Sequence, residues 1–216
     1  MKNVFFDLDD TLYRVEQYYL GAFLEIAEYL SKKGKYSKEE IYEKLEKKWD
    51  EKNPMYPHFF DDLFEELNLE KDVKKCVEIF SNYSGKLVPY EETFEALNEL
   101  KKKGIKLGMI TDGNAERQKR KIDLLGIKDF FEVFVFTQEL GEPKPSEIPF
   151  KIALEKTNAK GEKCIYVGDN PLIDFIGAKK TGMKTVRILK GKFCEVEKDN
   201  NIDYEIKNLK ELINLI

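Results

Sequence analysis

The chain has 216 residues, 42% hydrophobic and 36% charged, with a net charge of −4. That is a globular mixture, long enough for one domain with an insert or for two domains. Its interleaved acidic and basic residues form no basic stripe, which argues against nucleic acid as a partner. No apolar stretch approaches the ~18–20 residues needed to cross a bilayer. Neither a signal peptide nor a zinc or disulfide spacing among Cys76, Cys164 and Cys194 is visible, so a reducing, cytoplasmic setting is expected.

The first strand is expected over Val4–Asp7, ending in carboxylates. From about Val15 to Tyr83 the spacing is helical. Tyr19, Phe23, Ile26, Ala27 and Leu30 share a face, with Gly34 as a stop. Ser37 and Glu40 read as a capping box that opens a second helix carrying Ile41, Leu45 and Trp49. Asn53-Pro54 should break it. A third helix is expected with Phe60, Leu63, Phe64 and Leu67 inward, and a fourth with Val73, Val77, Phe80 and Tyr83 inward. Four short amphipathic helices fit an antiparallel bundle.

From about Leu87 helices and short apolar strands alternate. A helix with Phe94, Leu97 and Leu100 inward precedes a strand over Lys106–Ile110. A helix from about Asn114 ends near Gly126, and Val133–Phe136 is the next strand. A helix through Phe150, Ala153 and Leu154 leads to the strand Ile165–Val167. A helix ending at Gly182 leads to Thr185–Ile188, and Tyr204–Ile206 closes the series. Continuous apolar strands between helices imply a parallel sheet covered on both faces. The expected fold is therefore α/β, a Rossmann-like parallel sheet flanked by helices. Residues 1–14 and 87–216 would form the core, and residues 15–86 a small helical-bundle cap inserted after the first strand.

Polar residues fall where strands end: Asp7 and Asp9 after the first, Thr111 after the second, Lys144 in a later loop and Asp169 after the Ile165–Val167 strand. In an open parallel sheet, ligands bind outside the carboxyl ends of the strands, so these groups can share one crevice. Asp7 and Asp169 supply hard oxygen ligands suited to Mg²⁺. A carboxylate beside the metal can attack phosphorus and form an aspartyl phosphate. If burial and neighbouring carboxylates raise its pKa, Asp9 can protonate the leaving alcohol and then deprotonate water. The Thr111 hydroxyl and the backbone near Gly113 would donate to phosphoryl oxygens, and Lys144 would supply positive charge.

These residues lie in four motifs: Asp7-Leu8-Asp9-Asp10-Thr11-Leu12, Ile110-Thr111-Asp112-Gly113, Lys144-Pro145 with Phe150 beyond, and Gly168-Asp169-Asn170-Pro171-Leu172-Ile173-Asp174. In order and content the set resembles the haloacid dehalogenase superfamily, on its phosphatase branch with a helical C1-type cap. The resemblance implies a cap that closes over the site. It also implies that Asp7, the backbone carbonyl of Asp9 and Asp169 bind Mg²⁺, with Asp174 in the acidic set that orients metal waters and Lys144. Dehalogenating members resemble this chain but lack the second aspartate of the first motif, so Asp9 disfavours that chemistry. Asp112 stands where many capped relatives have Asn, and a carboxylate there would repel a phosphoryl group unless turned away or protonated. The fourth motif and the run Ile176–Lys180 after it resemble the branch holding acylneuraminate 9-phosphatases and pyrimidine nucleotidases.

The expected substrate is a small phosphorylated metabolite such as a nucleotide or sugar phosphate, hydrolysed by a monomer or homodimer with no nucleic-acid or membrane partner. Substrate-side candidates are Thr111, Asp112, Gly113, Asn114, Lys144 and Arg14; Tyr13, Met55 and Tyr56 could also face the substrate. Asp10 is expected as a turn residue, Trp49 as cap core, and His58 in a partly exposed structural role. Two alternatives stay open: a sugar phosphomutase using the same motifs, and a non-catalytic phosphate-binding module.

Overall fold

In a computed structural model, residues 2–52 and 56–216 are described. The Asn53-Pro54 helix break and the suggested Met55 contact lie outside the described residues. Six strands form one parallel sheet: β1 (Asn3–Phe6), β2 (Lys106–Thr111), β3 (Val133–Phe136), β4 (Cys164–Gly168), β5 (Lys184–Ile188) and β6 (Tyr204–Ile206). Their spatial order is β3-β2-β1-β4-β5-β6. The α/β reading of the sequence therefore holds. Every residue of β1 and of β4 is buried, as expected of central strands covered on both faces.

The chain divides into two compact units, Met1–Val15 with Lys86–Ile216, and Glu16–Gly85. The first holds the sheet and five helices: α5 (Thr93–Lys102), α6 (Ala115–Leu124), α7 (Thr137–Leu140), α8 (Ile148–Thr157) and α9 (Asp174–Lys180). The four-residue α7 has no sequence signal and was not expected. Phe5, Ile110, Val135, Phe150, Tyr166 and Phe175 belong to one core cluster beside the sheet. Phe150 stands edge-to-face on Tyr166 at 4.9 Å. Truncating such a buried aromatic to Ala costs about 3–5 kcal/mol. In α5 the inward residues are Thr93, Ala96, Leu97 and Leu100, whereas Phe94 is exposed and packs at 5.9 Å against Phe130.

The second unit holds α1 (Glu16–Ser31), α2 (Lys38–Glu51), α3 (Phe59–Leu67) and α4 (Val73–Asn82). The Ser37 capping box is present: its Oγ accepts from Glu40 N at 3.2 Å and Glu40 Oε2 accepts from Ser37 N at 2.7 Å. A cap of this kind stabilises a helix by about 1 kcal/mol. On α1, Phe23, Ile26, Ala27 and Leu30 are buried on one face as expected, while Tyr19 is half-buried. Tyr18 is buried as well, its OH donating to Phe80 O at 2.7 Å. Helix α4 buries Cys76 and Phe80 at spacing four, which leaves Val77 exposed. Tyr19, Phe23, Phe59, Phe60 and Phe80 form an aromatic cluster, and half-buried Trp49 lies against Tyr19 at 5.6 Å. His58 is exposed at the start of α3, beside the ring of Tyr56. Among the described residues, no helix is long and apolar enough to cross a membrane.

Candidate active site

The strand order reverses direction beside β1: the chain builds outward through β2 and β3, then returns to place β4 on the other side. Ligands of open parallel sheets bind at such a switch point, outside the carboxyl ends of the strands. Phe6 is level with Met109 on β2 and Val167 on β4. Asp7 therefore follows directly at the sheet edge, with Thr111 and Asp169 one position further along. Asp7, Asp169 and Asp174 are all buried, and each offers a carboxylate oxygen within 4.8 Å of the others.

One lysine stands among these carboxylates. Lys144 Nζ donates to Asp7 Oδ1 at 2.7 Å, Asp174 Oδ1 at 2.6 Å and Tyr166 OH at 3.1 Å. Asp174 is fixed from its other side, where Oδ2 accepts from Asn170 N at 2.9 Å. The packing here is tight enough to require Gly168, because a Cβ at that position would land on Asp174 Oδ2.

Burial pushes the Asp7 carboxyl up to about 8, with Asp174 and Asp9 adding to the rise and Lys144 opposing it. Asp169 is raised well above the carboxylate range by burial, then by Asp174, Asp7 and Asp10. Burial also works against the Lys144 ammonium, but Asp174 and Asp7 outweigh it and hold it well above its ordinary value. Three buried carboxylates against one ammonium leave negative charge that a hard divalent cation would neutralise. The donor set is all oxygen and fits Mg²⁺.

Asp9 departs from expectation. Its side chain is half-buried and stands outside the three-carboxylate group; the resemblance had put only its backbone carbonyl on the metal. Lys121 Nζ lies 2.8 Å from both Asp9 oxygens, Tyr13 OH donates to Oδ1 at 2.7 Å, and Gln118 Nε2 to Oδ2 at 3.1 Å. Burial pushes the Asp9 pKa up, but Lys121 and these hydrogen bonds bring it below its ordinary value. The upward shift that the acid role calls for is therefore not found here. A buried lysine, not a neighbouring carboxylate, dominates the field at Asp9.

Thr111 closes β2 and is buried, with its Oγ1 accepting from Gln118 Nε2 at 2.7 Å. Gly113 takes φ 98°, a conformation that favours glycine. Asp112 is held by its own neighbourhood. Its Oδ1 accepts from Thr137 Oγ1 at 2.6 Å and from Lys144 N at 3.2 Å, which ties the second motif to the third. Asn114 caps α6 by accepting from Arg117 N at 3.0 Å. The side chains of Asp112 and Asn114, expected at the substrate, are thus engaged in holding the loop and the helix. Arg14 is exposed. Asp10 sits in a turn at φ 54°, its Oδ1 accepts from Val15 N at 3.0 Å, and burial pushes its carboxyl up to about 6.

Three contributors escaped the sequence reading: Tyr166, Gln118 and Lys121. Tyr166 looked like an ordinary strand aromatic. Gln118 and Lys121 carried a signal, since Ala115, Ile122 and Leu125 lie at helical spacing and place residues 118 and 121 on the same inward face. A polar residue on such a face needs a buried partner.

A model of the haloacid dehalogenase-like hydrolase family matches residues 4–188. The chain belongs to the haloacid dehalogenase-like hydrolase family. It is a phosphatase of that family. A glyceraldehyde 3-phosphate phosphatase of Methanocaldococcus jannaschii is 37% identical, over 100% of this chain and 97% of that protein. A glyceraldehyde 3-phosphate phosphatase of Pyrococcus furiosus is 34% identical over 100% and 93%, and the pyrophosphatase PpaX of Halalkalibacterium halodurans 28% over 100% and 97%. Among solved structures, a HAD phosphatase from Thermococcus onnurineus superposes with TM-score 0.70 at 28% identity, covering 100% of this chain and 97% of that one. A 2-haloacid dehalogenase from Pseudomonas syringae superposes with TM-score 0.69 at 29% identity and the same coverage.

Proposed function

We propose that this haloacid dehalogenase-family phosphatase hydrolyses a small phosphorylated metabolite through an aspartyl phosphate formed on Asp7, with Mg²⁺ as cofactor. The observation that carries the reading is the Lys144 ammonium held between Asp7 and Asp174 with the Asp169 carboxylate alongside. Asp7 and Asp169 would hold the metal, together with the backbone carbonyl of Asp9. Asp174 has both oxygens engaged and acts from behind, fixing Lys144. Bound Mg²⁺ would supply charge that keeps Asp7 ionised and offsets the charge of the phosphoryl group.

An ionised Asp7 oxygen attacks phosphorus in line with the ester oxygen. The P–O bond to the leaving group breaks, and that oxygen takes a proton from Asp9, whose carboxyl enters this step protonated because the phosphoryl charge beside it offsets Lys121. Water then attacks the phosphorus of the aspartyl phosphate, gives a proton to Asp9, and frees phosphate and Asp7. Lys144 and the Thr111 hydroxyl stabilise the phosphoryl oxygens in both halves. Asp9 also distinguishes this chemistry from carbon–halogen cleavage, because dehalogenating members of the family lack it. We assign the helical unit the role of cap, which selects the leaving group. Similarity to two glyceraldehyde 3-phosphate phosphatases over nearly their whole length makes that triose phosphate the first substrate to test.

The test is phosphate release from a panel of triose phosphates, sugar phosphates, nucleotides and pyrophosphate, with Mg²⁺ and with chelator. The expected result is Mg²⁺-dependent release, with kcat/KM highest for a small phosphate ester. Isomerisation of a sugar phosphate with little phosphate release would point to a mutase. No turnover of any panel member would refute the reading.

A further inference from the structure

The inward face of α6 carries a polar chain that the family motifs do not include. Asp9 accepts four hydrogen bonds: two from Lys121, one from Tyr13 and one from Gln118. A carboxylate offers about four acceptor positions, so the group is fully satisfied. Lys121 and Gln118 are each 1% exposed. Replacing a buried ion pair by apolar side chains of similar volume is often neutral or stabilising, so folding alone does not require this arrangement.

The polarity of the chain is determined by its ends. The Gln118 amide faces Asp9 with its NH₂ group, Nε2 lying 3.1 Å from Oδ2. The second N–H of that group points at Thr111 Oγ1, 2.7 Å away. The Thr111 hydroxyl is therefore an acceptor toward Gln118, and its own proton is free to point elsewhere. Lys121 spans both Asp9 oxygens, so it can yield one to an incoming leaving oxygen and keep the other. The chain thus couples the orientation of two groups that meet opposite ends of the scissile bond.

We infer that Lys121 and Gln118 are positioning residues: Lys121 aims the Asp9 carboxyl at the leaving oxygen, and Gln118 turns the Thr111 proton toward the phosphoryl group. This rests on the acid–base role proposed for Asp9. The two residues should leave different kinetic marks. A nitrophenolate departs with little protonation, whereas an alkoxide needs an acid. A misaimed acid should therefore be felt mainly on alkyl esters, whereas a misaimed phosphoryl donor should be felt on every ester.

The experiment measures kcat/KM, which reports the steps up to the first irreversible one, on ethyl phosphate and on p-nitrophenyl phosphate for wild type, Asp9→Asn, Lys121→Met, Lys121→Arg and Gln118→Leu. Lys121→Met should lose roughly 10²-fold on ethyl phosphate, the size of a misplaced catalytic group, and under roughly 10-fold on the nitrophenyl ester. Lys121→Arg, which keeps the charge, should recover most of the alkyl activity. Gln118→Leu should lose activity on both esters, the nitrophenyl ester included, because the Thr111 proton is misdirected whatever the leaving group. Equal losses on the two esters for Lys121→Met, or a gain on ethyl phosphate, would overturn the inference, as would full activity in Gln118→Leu. If Lys121→Met fails to fold, Lys121→Arg and Gln118→Leu still decide: a large and equal loss on the two esters in the first, or an undiminished nitrophenyl activity in the second, overturns it. An Asp9→Asn enzyme whose losses ignore the leaving group would instead refute the acid–base reading itself, and the inference with it.

Discussion

Replacing Lys144 by Met keeps the length of the side chain and removes its charge. Lys144 is 5% exposed and lies 2.6 and 2.7 Å from two buried carboxylates. Removing one partner of a buried ion pair typically costs about 3–5 kcal/mol. For a chain of this size 1 kcal/mol moves Tm by about 2–4 °C, so a fall on the order of 10 °C is expected in metal-free protein. The sign of the pH dependence follows from Asp7, whose folded pKa is already raised to about 8. A carboxyl raised on folding favours the folded state while protonated, and that advantage is lost as pH rises through the folded pKa. Without Lys144 the Asp7 pKa moves higher still, so the stability deficit of the variant should widen between pH 6 and 9. Mg²⁺ should narrow it by replacing some of the lost positive charge. Thermal melts of wild type and Lys144→Met at pH 6 and pH 9, with chelator and with Mg²⁺, measure this. A deficit below about 1 kcal/mol, the range of a surface pair, or one independent of both pH and Mg²⁺, would refute the electrostatic account.

Two further outcomes follow. Gly168→Ala puts a methyl group onto Asp174 Oδ2; the strain should cost about 1–3 kcal/mol, and phosphatase activity should fall with it because Asp174 anchors Lys144, as melts and phosphate-release assays on one preparation will show. Thr111→Val keeps the shape at the end of β2 but removes the hydroxyl; kcat/KM should fall about 10²-fold, as for loss of one transition-state donor, and Tm should fall by a few degrees because a buried Gln118 N–H loses its acceptor.

The parts of the site set by the sheet were legible in the sequence. Asp7 and Asp169 end central strands whose apolar runs are unambiguous, and the parallel order that brings them together follows from alternating helices and strands. Rotation of the helices was less legible. In α4 both Val73/Val77 and Cys76/Phe80 have helical spacing, and only packing against neighbouring helices selects the second pair. Asp112 and Asn114 belong to a recognisable motif, yet their side chains serve the loop and the α6 cap. The polar chain through α6 was hidden for another reason. Its sequence, Ala-Glu-Arg-Gln-Lys-Arg-Lys-Ile-Asp-Leu, is so rich in charge that only spacing from Ala115 and Ile122 sets the buried lysine apart from the solvated ones. The pKa of Asp9 turned on that one residue.

The most direct test of the central claim replaces Asp7 by Asn and follows phosphate release from p-nitrophenyl phosphate in the presence of Mg²⁺. The amide removes the nucleophile while leaving the shape of the site nearly unchanged. Wild type should release phosphate, and Asp7→Asn should release none above background at an unchanged fold. Full activity in Asp7→Asn would contradict the account, because no aspartyl phosphate could then form at the position on which the whole site converges.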